Sequence, residues 1–319
     1  MPNPNQLPPA ITIMGPTTSG KSKIAIEVAR QYPVEIISVD SAQVYRHMNI
    51  GTAKPDADTL AAVPHHLIDL IDPTERYSAA QFRSDALEAM LQITERRKIP
   101  LLVGGTMLYY RALFDGLSVL PAANEAMRMT IDNEAKVIGW PAMHKKLNTL
   151  DAITAARLKP TDSQRIQRAL EVCYLTNQPM SALIDRPKNS DLPFQVTNIA
   201  LIPSNRKALH QRIAQRFDVM LNAGLVDEVK SIRKQFNVNA DTPAMRCVGY
   251  RQMLMFLNND IEQAKMREMS IAATRQLAKR QLTWLRGMKN DDVKDFDCLA
   301  DDLVTQVLAF LKTRHSHNT

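Results

Sequence analysis

Apolar runs of strand length alternate with helix-period stretches along the first third of the chain. The run from Ala10 to Met14 leads into a turn and then a helical segment from about Lys21 to Arg30. VEIISVD, residues 34 to 40, reads as a second buried strand ending at Asp40. An amphipathic stretch from about Ser78 to Arg97 precedes a third apolar run, IPLLVGG, and the helical TMLYYRALFDG. Strands and helices in alternation predict a parallel sheet, because parallel neighbours must be joined by a crossover.

The pattern changes between about Leu120 and Pro193, where polar helix-period segments such as ITAARLKP and SQRIQRALEVCYLTNQP carry no convincing strand. This stretch reads as a helical insertion. FQVTNIALI then restores strand character, and a strongly helical region runs from about Arg206 to Gly287 with an interruption near Val238 to Pro243. A short strand, VKDFD, precedes an amphipathic helix ending near Arg314. The terminal RHSHNT reads as a fraying end, not as a metal site.

Composition narrows the class. With 319 residues, 45% hydrophobic and 23% charged, the chain can bury a sizeable core and hold two domains. No charged segment leading into an apolar one opens the sequence, and there is no run of eighteen apolar residues, which predicts a cytoplasmic protein, neither secreted nor membrane-spanning. Cys173, Cys247 and Cys298 are scattered, with no CxxC or HExxH beside them, so neither a zinc site nor a disulfide framework is expected. The net charge of +7 is unevenly placed: Lys265, Arg267, Arg275, Lys279, Arg280, Arg286 and Lys289 face only one acid, Glu268, within their own window. Such a local excess favours a polyanion such as RNA, because each neutralised phosphate releases counterions; a solvated helix face is the bland alternative.

Residues 15 to 22 (Gly15, Pro16, Thr17, Thr18, Ser19, Gly20, Lys21 and Ser22) match GxxxxGK[ST] in full, after an apolar strand and before a helix. In that setting backbone amides turn inward on an anion, the helix N-terminus adds partial positive charge, Lys21 supplies a point charge, and Ser22 is placed to hold Mg2+. A diphosphate or triphosphate is therefore expected here. The fold class predicted is α/β, a P-loop NTPase-like parallel sheet core with an all-helical insertion domain. The domains expected are 1–119 and 194–319 for the core, and 120–193 for the insertion.

The cradle does not name the reaction. Ligands collect at the carboxyl ends of parallel strands, so Asp40 should face the cradle's crevice, either to hold magnesium or as a general base. The third strand ends in Gly104, Gly105 and Thr106 rather than in the metal-holding acid of a hydrolysing P-loop enzyme. Thr106 offers a hydroxyl at the crevice mouth.

GPTTSGKS is followed in order by DSAQVYRHMNIGTAKP from Asp40, PHHLID from Pro64, GGTMLYYRAL from Gly104, QRIQRALEV from Gln164, RCVGYRQ from Arg246 and AKRQLTWLR from Ala278. Together these motifs resemble the tRNA dimethylallyltransferases, over about residues 10 to 290. Thr18 and Ser22 stand where relatives often have alanine and threonine, and both keep the cradle chemistry. The resemblance implies that the cradle takes dimethylallyl diphosphate rather than ATP. It implies transfer of the dimethylallyl group to the exocyclic amine of the adenosine 3′ to the anticodon, in tRNAs reading codons that begin with U.

By the same resemblance Asp40 takes the proton and Thr106 touches both diphosphate and adenosine. The tRNA anticodon stem-loop would meet Asp40, Ser41, Ala42 and Gln43 at the flipped base, and Arg128, Gln164, Arg165, Ile166, Gln167 and Arg168 in the insertion. Further contacts are implied for Arg246, Cys247, Val248, Gly249, Tyr250 and Arg251, and for Lys279, Arg280, Gln281, Leu282, Thr283, Trp284, Leu285 and Arg286. Guanidiniums hold phosphates while Tyr250 and Trp284 offer stacking surfaces, with core packing the alternative for either ring. A monomer is expected. The competing readings are a P-loop kinase, an isopentenyltransferase acting on a free nucleotide, and an RNA-binding module with a vestigial nucleotide site.

Overall fold

The computed structural model describes residues 7–184, 192–288 and 292–315. Lys289 and the last residues of the RHSHNT tail lie outside the described residues. The chain forms two compact units, Met1–Leu113 with Leu192–Thr319, and Phe114–Asp191.

In chain order the elements are β1 (Pro9–Met14), α1 (Lys21–Gln31), β2 (Val34–Val39), α2 (Ala57–Ala62), β3 (His65–His66), α3 (Ala79–Glu95), β4 (Ile99–Gly104) and α4 (Met107–Asp115). There follow α5 (Glu125–Ile138), α6 (Trp140–Leu150), α7 (Ala152–Arg157), α8 (Ser163–Thr176) and α9 (Met180–Ile184). The chain then runs through β5 (Gln195–Ile202), α10 (Arg206–Asn222), α11 (Leu225–Gln235), a 3-10 turn at Pro243–Arg246, α12 (Tyr250–Leu257), α13 (Gln263–Gly287), β6 (Val293–Asp297) and α14 (Leu303–His315).

The larger unit is built on a parallel six-stranded sheet in the order β3-β2-β4-β1-β5-β6. Side chains alternate across its strands, as the pleat requires. Ile11 and Ile13 of β1 and Leu101 and Val103 of β4 share one core with Ile24 and Val28 of α1 and Val307 and Leu311 of α14. The central position of β1 puts the turn that follows it at the carboxyl edge of the sheet, between β4 and β5. There the strand order reverses direction, where ligands gather in folds of this kind.

Two features escaped the pattern reading. The segment between the second strand and α3 contains a short helix, α2, and the edge strand β3, whose two residues are too few for any periodicity to register. The long helical region is four helices rather than one broken stretch. Gly224, at φ 98°, separates α10 from α11, and a second break lies between α12 and α13.

The smaller unit is all-helical with its own core, formed by Ile131, Ala135, Met143, Leu147, Ile166, Ala169, Leu170 and others. Helices α5, α7 and α8 are capped by side chains: Asn124, Asp151 and Asp162 accept from Met127 N, Thr154 N and Arg165 N.

Candidate active site

The turn after β1 wraps tightly. Ser19 N donates to the Pro16 carbonyl at 3.3 Å, and the Lys21 ammonium reaches back to the same oxygen at 2.6 Å. Gly20 sits at φ 83°, in the left-handed region where a Cβ is costly, and α1 begins at the next residue. Thr17, Thr18, Gly20, Lys21 and Ser22 all line a cavity of about 390 Å³.

Asp40, Gln43, Arg216 and Cys247 line the same cavity. Burial lowers Lys21 to about 8, against the attraction of Asp40, and Arg216 lowers it further. Burial likewise lowers Arg216, which Asp40 partly offsets. Two desolvated cations thus share a pocket with one carboxylate, an arrangement that an anionic ligand relieves. The Cys247 thiol is pushed up to about 12, chiefly by burial and then by Asp40. At neutral pH it is a thiol, inert as a nucleophile.

Arg216 was not among the expected site residues, although its signal is in the sequence. The buried positions of α10 are Leu209, Ile213 and Phe217, and Arg216 lies three residues after Ile213 and seven after Leu209. A guanidinium on that apolar stripe needs a reason, and the anion pocket supplies one.

Asp40 directly follows β2, and its carboxylate accepts Ala42 N at 2.8 Å, which fixes the turn. The Thr106 hydroxyl accepts Ser41 N at 3.0 Å and donates to Ser41 Oγ at 3.3 Å, while Thr106 N donates to the Val39 carbonyl at 3.1 Å. The ends of β2 and β4 are therefore laced together beside Asp40. Gln43 is held on both ends of its amide: Ser38 Oγ donates to its oxygen at 2.8 Å, and its nitrogen reaches the Thr52 and Ala53 carbonyls, each at 3.4 Å.

The expected RNA contacts divide by exposure. On α13 Lys279, Arg280, Thr283, Trp284 and Arg286 are exposed, whereas Gln281, Leu282 and Leu285 are buried on the opposite face. Arg246 and Arg251 are exposed, Cys247 and Val248 line the cavity, and Gly249 is buried. Tyr250 is 0% exposed with its hydroxyl on Glu228, and it lines the cavity wall rather than the outer surface.

In the smaller unit Gln164 and Arg165 are exposed and Ile166 is buried in the helical core. Gln167 donates to Asp132. Arg128 and Arg168 both bind the fully buried Glu171, the former through two nitrogens at 2.9 and 3.1 Å, the latter at 2.6 Å. Ile166, Leu282 and Leu285 are held inside the protein, whereas Tyr250 and Gln281 are buried among the residues that line the cavity. Helical spacing put these side chains beneath the surface residues that share their motifs. Arg128 and Arg168 have a structural duty that sequence spacing did not reveal, since leaving Glu171 buried and unpaired would be costly.

A parallel sheet with a glycine-bounded cradle between its central strand and a helix, and cations gathered around it, defines a P-loop phosphate-binding protein of the α/β class. Comparison with known proteins sharpens this. The IPP transferase family model matches residues 43–288. The tRNA dimethylallyltransferase of Nitrosospira multiformis is 62% identical over 304 residues, covering 95% of this chain and 94% of its own. That of Nitrosomonas eutropha is 61% identical over 305 residues, covering 96% of each. This chain belongs to the IPP transferase family. Among solved structures, a tRNA isopentenylpyrophosphate transferase from Bacillus halodurans superposes with a TM-score of 0.69 at 33% identity, covering 97% of both chains. A eukaryotic dimethylallyltransferase acting on tRNA gives a TM-score of 0.78 at 26% identity, covering 97% of this chain and 79% of that one. Among the described residues no helix is long and apolar enough to cross a membrane.

Proposed function

We propose that this protein transfers a dimethylallyl group from dimethylallyl diphosphate to the exocyclic amine of the adenosine 3′ to the anticodon of tRNA. The observation that carries the chemistry is the convergence of Lys21, Arg216 and Asp40 on one cavity beside the cradle. In this reading the two cations meet the diphosphate and the acid serves the attacking amine.

In this reading the amine nitrogen attacks the first allylic carbon, the carbon–oxygen bond to diphosphate breaks, and Asp40 accepts the proton released from nitrogen. Cradle amides, Lys21 and Arg216 stabilise the negative charge that gathers on the departing diphosphate, which is the largest contribution expected in such a site. Thr106, bonded to Ser41 next to the base, orients the adenosine. Unpaired anticodon-loop bases are the cheapest to extrude into a pocket of this kind. The exposed Lys279, Arg280, Trp284 and Arg286 of α13 supply phosphate and stacking contacts for the RNA.

Magnesium fits the same site. Ser22 lines the cavity at the start of α1, and its hydroxyl is a hard oxygen donor of the kind suited to that ion. Among the described residues no group of three or more His, Cys, Asp or Glu could hold a metal, so diphosphate and water would complete its shell. When bound, it would neutralise charge on the diphosphate oxygens. An enzyme with this substrate works in the cytoplasm, where tRNA matures.

The deciding experiment incubates the purified protein with dimethylallyl diphosphate, magnesium and unmodified tRNA, then digests the RNA and looks for prenylated adenosine by mass. Prenylated tRNA is expected. Prenylation of free adenine nucleotide alone, or RNA-independent ATP consumption, would replace this reading with a different transferase or a kinase.

A further inference from the structure

One side chain joins the helix that faces RNA to the loop that grips phosphate. On the face of α13 opposite Lys279, Arg280, Trp284 and Arg286, Gln281 is only 8% exposed. Its amide oxygen accepts the backbone N–H of Thr17 at 2.9 Å, and its amide nitrogen donates to the Gly105 carbonyl at 2.9 Å. Thr17 lies in the cradle, and Gly105 immediately precedes Thr106. The positions bridged are 264 and 176 residues away in sequence, so only the fold brings them together.

The fit is specific to glutamine. Asparagine is a methylene shorter, and glutamate has no donor for the Gly105 carbonyl. A Cβ at Gly105 would push the Gln281 amide out of its place, so glycine there leaves room for the bridge. One turn further along α13, Trp284 lies under the Arg111 guanidinium of α4, 5.7 Å from its ring centre. Helix α13 therefore grips the chain on both sides of Thr106. Leu282 and Leu285 are buried in the protein, which fixes the helix as one body.

We infer that Gln281 is a positioning residue through which tRNA docked on the outer face of α13 tightens the cradle's hold on diphosphate. The inference rests on the function proposed above. A buried amide satisfied at both ends is expensive to release, so the Thr17 and Gly105 loops follow α13. RNA that restrains the helix also restrains these loops, and diphosphate then binds without the cost of ordering them. By linkage, diphosphate tightens RNA binding by the same factor.

The test titrates inorganic diphosphate, with magnesium, into the full-length protein with and without a saturating anticodon stem-loop RNA. It then repeats both titrations on Gln281→Met, which keeps the bulk and loses both hydrogen bonds. For the native protein RNA should tighten diphosphate about 5- to 150-fold, the usual span of such coupling, and in Gln281→Met the ratio should fall below about twofold. Gln281→Glu should not restore it. Equal ratios in the two proteins, or a native ratio of one, overturn the inference.

Should Gln281→Met fail to fold, hydrogen exchange of the native protein decides. Protection of the Thr17 amide must rise on adding RNA alone, and unchanged exchange there sinks the idea. Native protein that does not prenylate tRNA brings down the proposed function and this inference with it. Native protein that prenylates normally, with a ratio indifferent to Gln281→Met, removes this inference alone.

Discussion

The Tyr250 hydroxyl donates a 2.6 Å hydrogen bond to Oε1 of Glu228, and the same carboxylate accepts the backbone N–H groups of Asn49, Ile50 and Gly51 at 2.8, 2.6 and 3.2 Å. Three successive amides converging on one anion form a nest. Burial and the neighbouring Glu228 push the Tyr250 phenol far above its usual range, so it stays a donor at every pH the protein tolerates. The chain leaving the nest supplies the Thr52 and Ala53 carbonyls that meet Gln43. A carboxylate on α11 thereby sets the cavity wall on which Gln43 rests.

Glu228→Ala strips four donors of their acceptor at once. Each buried donor left unmade costs about 1–3 kcal/mol, though water entering at the exposed Asn49 spares part of the sum. We expect a loss of about 3 kcal/mol by urea denaturation. Tyr250→Phe, which breaks one of the four bonds, should lose about 1 kcal/mol. Equal losses for the two variants would contradict the nest.

Asp40→Ala, Lys21→Ala and Thr106→Ala should slow prenyl transfer far more than they weaken tRNA binding. Removing a general base slows the chemical step by about 10²- to 10⁴-fold. Single-turnover rates beside RNA affinities separate the two effects. Unchanged rates in all three variants would refute the assigned roles.

The pH dependence of kcat/KM for dimethylallyl diphosphate reads the free enzyme. Burial holds Lys21 at about 8, so its positive charge is present below that pH and lost as pH rises through it. The alkaline limb of the profile should fall near pH 8. Arg216 is one of the groups pressing Lys21 down, so Arg216→Gln should move that limb to higher pH while raising KM. A limb that stays put in the variant would separate Arg216 from the Lys21 site.

Much of this site was legible before any coordinates. GPTTSGKS announced the cradle because wrapping a chain around phosphate demands glycines and a lysine at fixed spacing. Asp40 was legible because apolar runs locate strand ends, and strand ends locate the crevice. Arg216 and Glu228 were missed for a different reason. Each acts across the fold, on partners such as Asp40 or Asn49 that no local pattern ties to them. The motif around Gln281 marks its neighbourhood, and only helical phase shows that its side chain faces Thr17 and Gly105.

Away from the cavity, Glu35 at the start of β2 is nearly buried and binds Arg96 at 2.6 Å, His66 at 2.7 Å and Lys98 at 3.0 Å. Hydrogen bonding from Arg96 foremost, then from His66 and Lys98, holds its carboxyl at about 2 against the opposing pull of burial. A carboxylate with a depressed folded pKa stabilises the fold above its unfolded value, near 4.5, and that stability drains away as pH falls toward 2. With Arg96 half exposed and screened by water, we expect the contribution to be about 1–2 kcal/mol. Arg96→Ala should flatten the acid limb of the stability curve between those pH values, and an unaltered limb would assign it to other groups.

The last expectation concerns the outer face of α13. Arg280 and Arg286 are exposed on the helix whose inner face holds Gln281, and neither is needed to fill the core. If they neutralise RNA phosphates, each contact removed should lessen the slope of log affinity against log salt by about one, with affinity falling evenly across tRNA sequences. Arg280→Gln with Arg286→Gln should therefore reduce the slope by about two while leaving the thermal unfolding of the protein where it was. A pair of residues that only solvate a helix would leave the slope unchanged. In that case the RNA would have to reach the cavity along another surface, and the link through Gln281 would have no load to carry.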